Sequence, residues 1–228
     1  CHYCYYLNKA VQYGGRQAVM PDELLERYIR QYIEANEVPV VTFCWHGGEP
    51  LLLGRDFYRR AVALQRKYAA GKRIENTLQT NGTLVDEAWC ELFAENGFLV
   101  GLSLDGPEDI HDAFRRTKGG RPTFARVMRT VGMFRRTGVE YNTMSVVNRD
   151  CGGRGAEVYR FFRDTGGSRY MEFLPGVGSL VERAVRPRPR SGSLERTGAG
   201  AACPRVASYV WRGVLGRAAA SAGASRNG

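Results

Sequence analysis

The first four residues carry a pair of cysteines whose spacing suits a metal ion, a cluster or a redox dithiol. Cys1 and Cys4 are separated by two residues, which lets both thiolates turn toward one centre. Zinc would need two further ligands, and the sequence has no second close pair of Cys or His. A thioredoxin-type pair would lie between a strand and a helix, whereas a tyrosine-rich segment follows Cys4. An iron–sulfur site therefore remains, with at least one ligand expected upstream of Cys1.

The other cysteines do not indicate a disulfide framework, because they are sparse and scattered. Cys44 lies in a β-rich segment and Cys90 lies beside Trp89 in a helical one. Small, buried thiols of this kind are typical of a protein core. We therefore expect both to be core residues.

Helical and strand-like segments alternate along the first 176 residues. The predicted helices are 21–36, 55–70, 86–96, 123–137 and 156–165, and the predicted strands are 38–45, 74–80, 98–104, 139–147 and 169–174. Repeated strand–helix units indicate a parallel sheet. The strands are largely apolar or β-branched, which predicts that helices cover both faces of the sheet.

Polar residues follow three successive strands at the point where each strand ends. These segments are His46-Gly47-Gly48-Glu49, Thr80-Asn81-Gly82 and Ser103-Leu104-Asp105-Gly106. Parallel α/β folds place their active sites at the carboxyl ends of strands, so a shared site is predicted there. Taken singly, Asp105 is interpreted as an Asx-turn residue. Taken singly, His46 and His111 are interpreted as polar loop residues, and Arg115 is interpreted as a solvated residue at a helix end.

The net charge of +10 is concentrated at the end of the chain. Residues 1–176 carry 24 Lys and Arg against 21 Asp and Glu, whereas residues 177–228 carry 9 Arg against 2 Glu. The nearly neutral body does not favour nucleic-acid binding, and no apolar run reaches the length of a membrane span. Residues 177–228 are rich in Ala, Gly, Ser and Arg without an apolar period, so we expect an unstructured basic tail, a linker or a frameshifted segment.

Several segments together resemble the radical S-adenosylmethionine family, and in particular its anaerobic sulfatase-maturating enzymes. Cys1 to Lys9 is similar to the second half of the Cys-x-x-x-Cys-x-x-Cys signature and the aromatic segment that follows it. Further matching segments, in the family's order and spacing, are Trp45-His46-Gly47-Gly48-Glu49-Pro50, Gln79-Thr80-Asn81-Gly82-Thr83-Leu84, Ser103-Leu104-Asp105-Gly106-Pro107, Ile110-His111-Asp112 and Arg115. The resemblance covers about residues 1–176.

This resemblance implies a partial (β/α)6 barrel with parallel strands, whose first strand and first cysteine lie upstream of Cys1. It implies a [4Fe–4S] cluster, held in part by Cys1 and Cys4, and S-adenosylmethionine. It further implies an oxidoreductase that uses a 5′-deoxyadenosyl radical to oxidise a Cys or Ser of a sulfatase peptide to Cα-formylglycine. Protein side chains orient such cofactors and exclude water, while the cofactors supply the chemistry.

The resemblance also implies a role for single residues. Gly47 and Gly48 allow close approach to the methionine moiety, and Glu49 accepts from its ammonium group or braces the loop. The other residues expected to bind S-adenosylmethionine are Ser103, Arg115, Tyr3 and Leu174, of which the last two contact the adenine. His46 faces the substrate peptide. We assign no catalytic base, because the family's carboxylate base lies beyond the matching region.

The expected partners are a sulfatase or other peptide and an external low-potential electron donor, with neither nucleic acid nor membrane. The implied location is cytoplasmic. The family continues into a domain with two auxiliary clusters, whose cysteine pattern residues 177–228 do not show. Two alternatives therefore stay open: a related enzyme that modifies another peptide, for example by thioether formation, and a non-catalytic remnant.

Overall fold

Five parallel strands form the sheet at the centre of the molecule, and their order in the sheet is their order in the chain. The computed structural model describes residues 19–148, 151–166 and 170–176, together with residues 1, 3, 4, 6 and 168. The sheet curls into a partial barrel, as predicted. The tail predicted for residues 177–228 lies outside the described residues.

The strands alternate with helices along the chain. The strands are β1 (Val40–Trp45), β2 (Arg73–Thr80), β3 (Leu99–Ser103), β4 (Tyr141–Val147) and β5 (Met171–Pro175). The helices are α1 (Asp22–Ala35), α2 (Arg55–Tyr68), α3 (Glu87–Glu95), α4 (Glu108–Phe114), α5 (Phe124–Thr137) and α6 (Gly155–Phe161). A 3₁₀ turn spans Pro50–Leu53, another spans Gly152–Arg154, and a π turn, Phe162–Gly166, continues α6.

Local sequence explains where several helices begin and end. Asp86 caps α3, because its carboxylate accepts a hydrogen bond from the Trp89 N–H at 2.9 Å. α5 ends at Gly138, whose φ of 70° is the left-handed conformation typical of a helix stop. α1 turns Leu25, Ile29 and Ile33 inward, where they are at most 1% exposed. These caps and apolar stripes fix the helices against the sheet.

The described helices pack on one face of the sheet. Leu78, Val100 and Leu102 point toward the helices and are at most 1% exposed. Their neighbours along β2 and β3 point to the concave face, which is largely polar and includes Gln79 and Ser103. The expectation that helices cover both faces is therefore not met among the described residues.

Two expectations for single residues had different outcomes. Cys90 is fully buried among the aromatic side chains under α3, as predicted. Cys44 is exposed, because in β1 it alternates with the inward-pointing Phe43. The prediction that Cys44 is a core residue was wrong. Among the described residues, no helix is both long enough and apolar enough to cross a membrane.

Candidate active site

The parallel register brings the carboxyl ends of β1 and β2 together, and Glu49 joins them. Its Oε1 accepts from the Thr80 hydroxyl at 2.7 Å and from the Leu51 N–H at 3.2 Å. Its Oε2 accepts from the Asn81 N–H at 2.9 Å. Burial raises the pKa of Glu49, and these three hydrogen bonds act in the opposite direction. The carboxylate therefore braces the Gly-Gly loop against the end of β2.

The end of β3 carries a buried ion pair. Asp105 is 0% exposed, and Arg115, directly after α4, is 7% exposed. The guanidinium lies 2.8 Å (Nε) from Asp105 Oδ2 and donates from Nη2 to Oδ1 at 2.9 Å. The Val146 N–H of β4 also donates to Oδ1, at 2.9 Å. Asp105 was interpreted as an Asx-turn residue and Arg115 as a solvated helix end. Both interpretations were wrong, because the two side chains form this buried ion pair.

His111 contacts groups next to this ion pair through both of its ring nitrogens. The Asp105 N–H donates to His111 Nδ1 at 3.4 Å, and His111 Nε2 lies 3.1 Å from the Thr123 hydroxyl. That hydroxyl donates to the Arg115 carbonyl at 2.6 Å, so it accepts from Nε2–H. Burial, followed by the Arg115 charge, lowers the pKa of His111 to about 4. His111 is therefore a neutral, buried side chain of α4 and not a polar loop residue.

The two cysteines lie on a turn attached to this rim. The Cys4 N–H donates to the Cys1 carbonyl at 3.1 Å. The Tyr3 hydroxyl donates to Asp105 Oδ2, and Arg115 Cζ lies 5.4 Å from the centre of the Tyr3 ring. Burial raises the pKa of the Tyr3 phenol. The turn between the cysteines is thus held directly against the end of β3.

The residues on this turn fit part of an iron–sulfur site. Arg115 Nη1 lies 3.8 Å from Cys1 Sγ, and a nearby cation favours the thiolate that binds iron. Among the described residues, no set of three or more Cys, His, Asp or Glu side chains converges on a metal position. Cys1 and Cys4 are thus the two thiols on this turn, and their role as cluster ligands stays a prediction.

Gln79 and Ser103 lie side by side on the concave face below the rim. Gln79 Nε2 donates to Ser103 Oγ at 3.0 Å. This contact requires glycine at position 101, because an added Cβ there would lie 2.0 Å from Gln79 Oε1 and 3.3 Å from Asn142 Oδ1. The Ser103 hydroxyl is therefore oriented by its neighbour and remains able to donate to a ligand.

The other predicted binding residues surround the same space. A Cβ added to Gly47 or Gly48 would meet no atom within 4 Å, so open space adjoins both glycines. Leu174 of β5 pairs with Val146 of β4, and both are half-buried on the concave face. His46 is exposed beside Gly47, and its Nδ1 lies 3.0 Å from the Tyr6 hydroxyl.

The structure brings Tyr3, Cys1, Cys4 and Arg115 into one cluster of contacts, whereas Glu49 works at the neighbouring strand end. Sequence reasoning missed the roles of Asp105, His111, Gln79 and Tyr6. Only Asp105 carried a signal, because a carboxylate directly after a buried parallel strand is placed at the rim.

Comparison with known proteins identifies the class to which this chain belongs. Residues 1–155 match the family model of the radical SAM superfamily. The chain therefore belongs to the radical SAM superfamily.

Within this superfamily, the chain is similar to anaerobic sulfatase-maturating enzymes, which confirms the resemblance carried by the motifs. The serine-type enzyme of Bacteroides thetaiotaomicron is 46% identical over 186 residues, which cover 81% of this chain and 44% of the relative. The cysteine-type enzyme of Clostridium perfringens (strain 13 / Type A) is 36% identical over 187 residues, 80% of this chain and 49% of the relative.

A solved structure gives the same result. Native anSMEcpe with bound AdoMet and Kp18Cys peptide superposes with a TM-score of 0.73 at 35% identity, over 79% of this chain and 48% of that chain. This chain thus spans somewhat less than half the length of these relatives.

Proposed function

We propose that this chain supplies the cofactor-binding barrel of an anaerobic sulfatase-maturating enzyme, which oxidises a Ser or Cys of a sulfatase peptide to Cα-formylglycine. The carrying observation is the attachment of the cysteine turn to the strand ends through Tyr3 and Asp105. It places two thiols at the rim where the Gly-Gly loop, Ser103 and Arg115 also converge. Similarity to both serine-type and cysteine-type enzymes supports the proposal.

In this proposal, Cys1 and Cys4 bind two irons of a [4Fe–4S] cluster. When bound, the cluster and S-adenosylmethionine together supply reductive cleavage and hydrogen abstraction. The open space beside Gly47 and Gly48 receives the methionine end, and Glu49 keeps that loop in place.

The remaining residues orient the rest of S-adenosylmethionine. Ser103 donates its hydroxyl, and Leu174 and the Tyr3 ring offer apolar surface to the adenine. Arg115 Nη2 donates to Asp105 and Nε lies against the same carboxylate, so Nη1 is the nitrogen that faces a carboxylate of the cofactor. Two of the three guanidinium nitrogens predicted to face the cofactor therefore lie against Asp105.

His46 is the proposed substrate-side residue, since it is exposed at the end of β1 beside Gly47. We further propose an external low-potential electron donor and a cytoplasmic location. Neither nucleic acid nor a membrane is a proposed partner, because the basic excess lies in residues 177–228. Residues 1–176 form the barrel unit in this proposal, and residues 177–228 form a separate basic tail.

The test uses the full protein that carries this chain, reconstituted with iron and sulfide without oxygen. With S-adenosylmethionine and a strong reductant, it should release 5′-deoxyadenosine and oxidise a sulfatase peptide, as measured by mass spectrometry. The Ser peptide comes first, because the serine-type relative has the higher identity. Cys4→Ala should abolish cleavage.

Cys90→Ala is the matched control, because it removes a thiol that is buried in the core. It should retain both cluster and cleavage. A protein that binds four irons yet leaves S-adenosylmethionine intact contradicts the proposal. So does a Cys4→Ala variant that cleaves S-adenosylmethionine at the wild-type rate.

A further inference from the structure

Two tyrosines attach the cysteine turn to different strand ends. Tyr3, between the cysteines, donates to Asp105 after β3. Tyr6, two residues beyond Cys4, lies 3.0 Å from His46 Nδ1 after β1. The chain is therefore attached to the rim by one side chain between the two thiols and by a second one after Cys4.

The Asp105 attachment is the firmer of the two. Its carboxylate accepts three hydrogen bonds, from Arg115 Nη2, the Val146 N–H and the Tyr3 hydroxyl, and Arg115 Nε lies 2.8 Å from Oδ2 as an ion-pair contact. Asp105 is fully buried, whereas His46 is exposed. A hydrogen bond to a buried, charged acceptor contributes more than one at an exposed site.

The same carboxylate also sets the direction of Arg115. With Nε and Nη2 held by Asp105, the guanidinium keeps Nη1 3.8 Å from Cys1 Sγ. One buried group therefore fixes both the turn and the cation that faces its first thiol.

We propose that Asp105 is a positioning residue that holds the turn carrying Cys1 and Cys4 at the rim. This inference rests on the proposed function, because it concerns the two thiols assigned to the cluster. A turn that protein side chains hold in place loses less chain entropy when its thiols bind a cluster.

The first test is Tyr3→Phe, which removes the hydroxyl but leaves the buried ion pair intact. In the cluster-free full protein, iodoacetamide labelling of Cys1 and Cys4 should become about ten-fold faster, because opening of the turn no longer breaks a charge-assisted hydrogen bond. Exposed Cys44 is the internal reference, and mass spectrometry reports each thiol separately. Iron uptake during reconstitution should slow in parallel.

Tyr68→Phe is the matched control, because the Tyr68 hydroxyl also donates to a carboxylate, that of Glu26 at 2.6 Å, far from the turn. It should leave labelling of all thiols at the wild-type rate. Tyr6→Phe should accelerate labelling less than Tyr3→Phe, since its partner His46 is exposed. An equal or larger effect of Tyr6→Phe overturns the assignment to Asp105.

Asp105→Asn extends the test to the carboxylate itself, with Asp112→Asn as control. Asp112 is also buried, but its Oδ1 accepts from the Thr123 and Phe124 N–H groups and not from the turn. A folded Asp105→Asn protein with wild-type labelling of Cys1 overturns the proposal. If Asp105→Asn fails to fold, Tyr3→Phe decides.

The two proposals fail separately. A wild-type protein that never cleaves S-adenosylmethionine refutes the proposed function, whatever the thiol rates are. A wild-type protein that cleaves it, with unchanged thiol rates in Tyr3→Phe, refutes only the role of Asp105.

Discussion

The buried imidazole of His111 makes a quantitative prediction about the pH dependence of stability. The side chain is 0% exposed, and its pKa is lowered from 6.5 to about 4. The unfolded chain therefore binds a proton near pH 6.5 that the folded chain takes up only near pH 4. Stability is present above the unfolded pKa and is lost as pH falls through this range.

The size of the effect follows from the two pKa values. Complete protonation corresponds to about 3 kcal/mol, and the part lost between about pH 7.5 and pH 5 is about 2 kcal/mol. The assay is urea unfolding followed by circular dichroism at several pH values in this window. His111→Gln, whose amide can still donate to the Thr123 hydroxyl, should lower stability at pH 7.5 but show a shallower pH dependence.

His46→Gln is the matched control, because it removes an exposed histidine from the neighbouring strand end. Its pH dependence should follow that of the wild type. Carboxylates that also titrate near pH 5 contribute equally to all three proteins, so the difference between the curves isolates His111. Parallel curves for wild type and His111→Gln would refute the reasoning, since they would mean that His111 titrates alike in both states.

Three further perturbations have defined outcomes. Gly101→Ala should displace the Gln79 side chain and break its hydrogen bond to Ser103. Binding of S-adenosylmethionine to the reconstituted protein, measured by titration, should therefore weaken. The melting temperature should change little, because the end of the Gln79 side chain is flexible. Glu49→Gln turns the acceptor that faces the Asn81 N–H into a donor, and the unpaired N–H should cost about 1–3 kcal/mol in urea unfolding; unchanged stability would count against the bracing role. Deleting residues 177–228 should leave the melting temperature of the barrel nearly unchanged, and a fall of several degrees would contradict a separate tail.

Most of the fold could be predicted from the sequence, because periodicity and glycine stops mark the long elements. The helices 55–70 and 123–137 were predicted to within two residues of α2 and α5. The short helix α4 was missed, since seven residues led by two acidic side chains show no apolar stripe. The concave face was missed as well, because one chain segment does not reveal whether both faces of its strand are covered.

Only the part of the site that lies at the carboxyl ends of the strands could be predicted from the sequence. Parallel strands bring their carboxyl ends to one edge, which was enough to group the Gly-Gly loop with Ser103. The contact between Tyr3 and Asp105 joins residues 102 positions apart, and no local pattern encodes it. The ion pair with Arg115 was hidden for a different reason, since an Asp-Gly pair after a strand is more often a turn.

Glu172 shows how the concave face differs from a packed core, and it leads to the last prediction. It points to that face from β5, beside Met144 of β4. Its Oε1 is buried without a hydrogen-bond partner among the described residues, and burial raises the pKa of its carboxyl. The ionised form is therefore disfavoured in the folded state, and it costs stability above the raised pKa.

Glu172→Gln should consequently raise the melting temperature at neutral pH, and this gain should vanish as pH falls through the carboxyl pKa. Glu75→Gln is the matched control on the same face, because Glu75 Oε1 lies 3.0 Å from Arg73 Nη2 and gains from its charge. That variant should be no more stable than the wild type. A lower melting temperature for Glu172→Gln would mean that the Glu172 carboxylate has a stabilising partner. The unpaired Oε1 on the concave face would then not lower the stability of the fold.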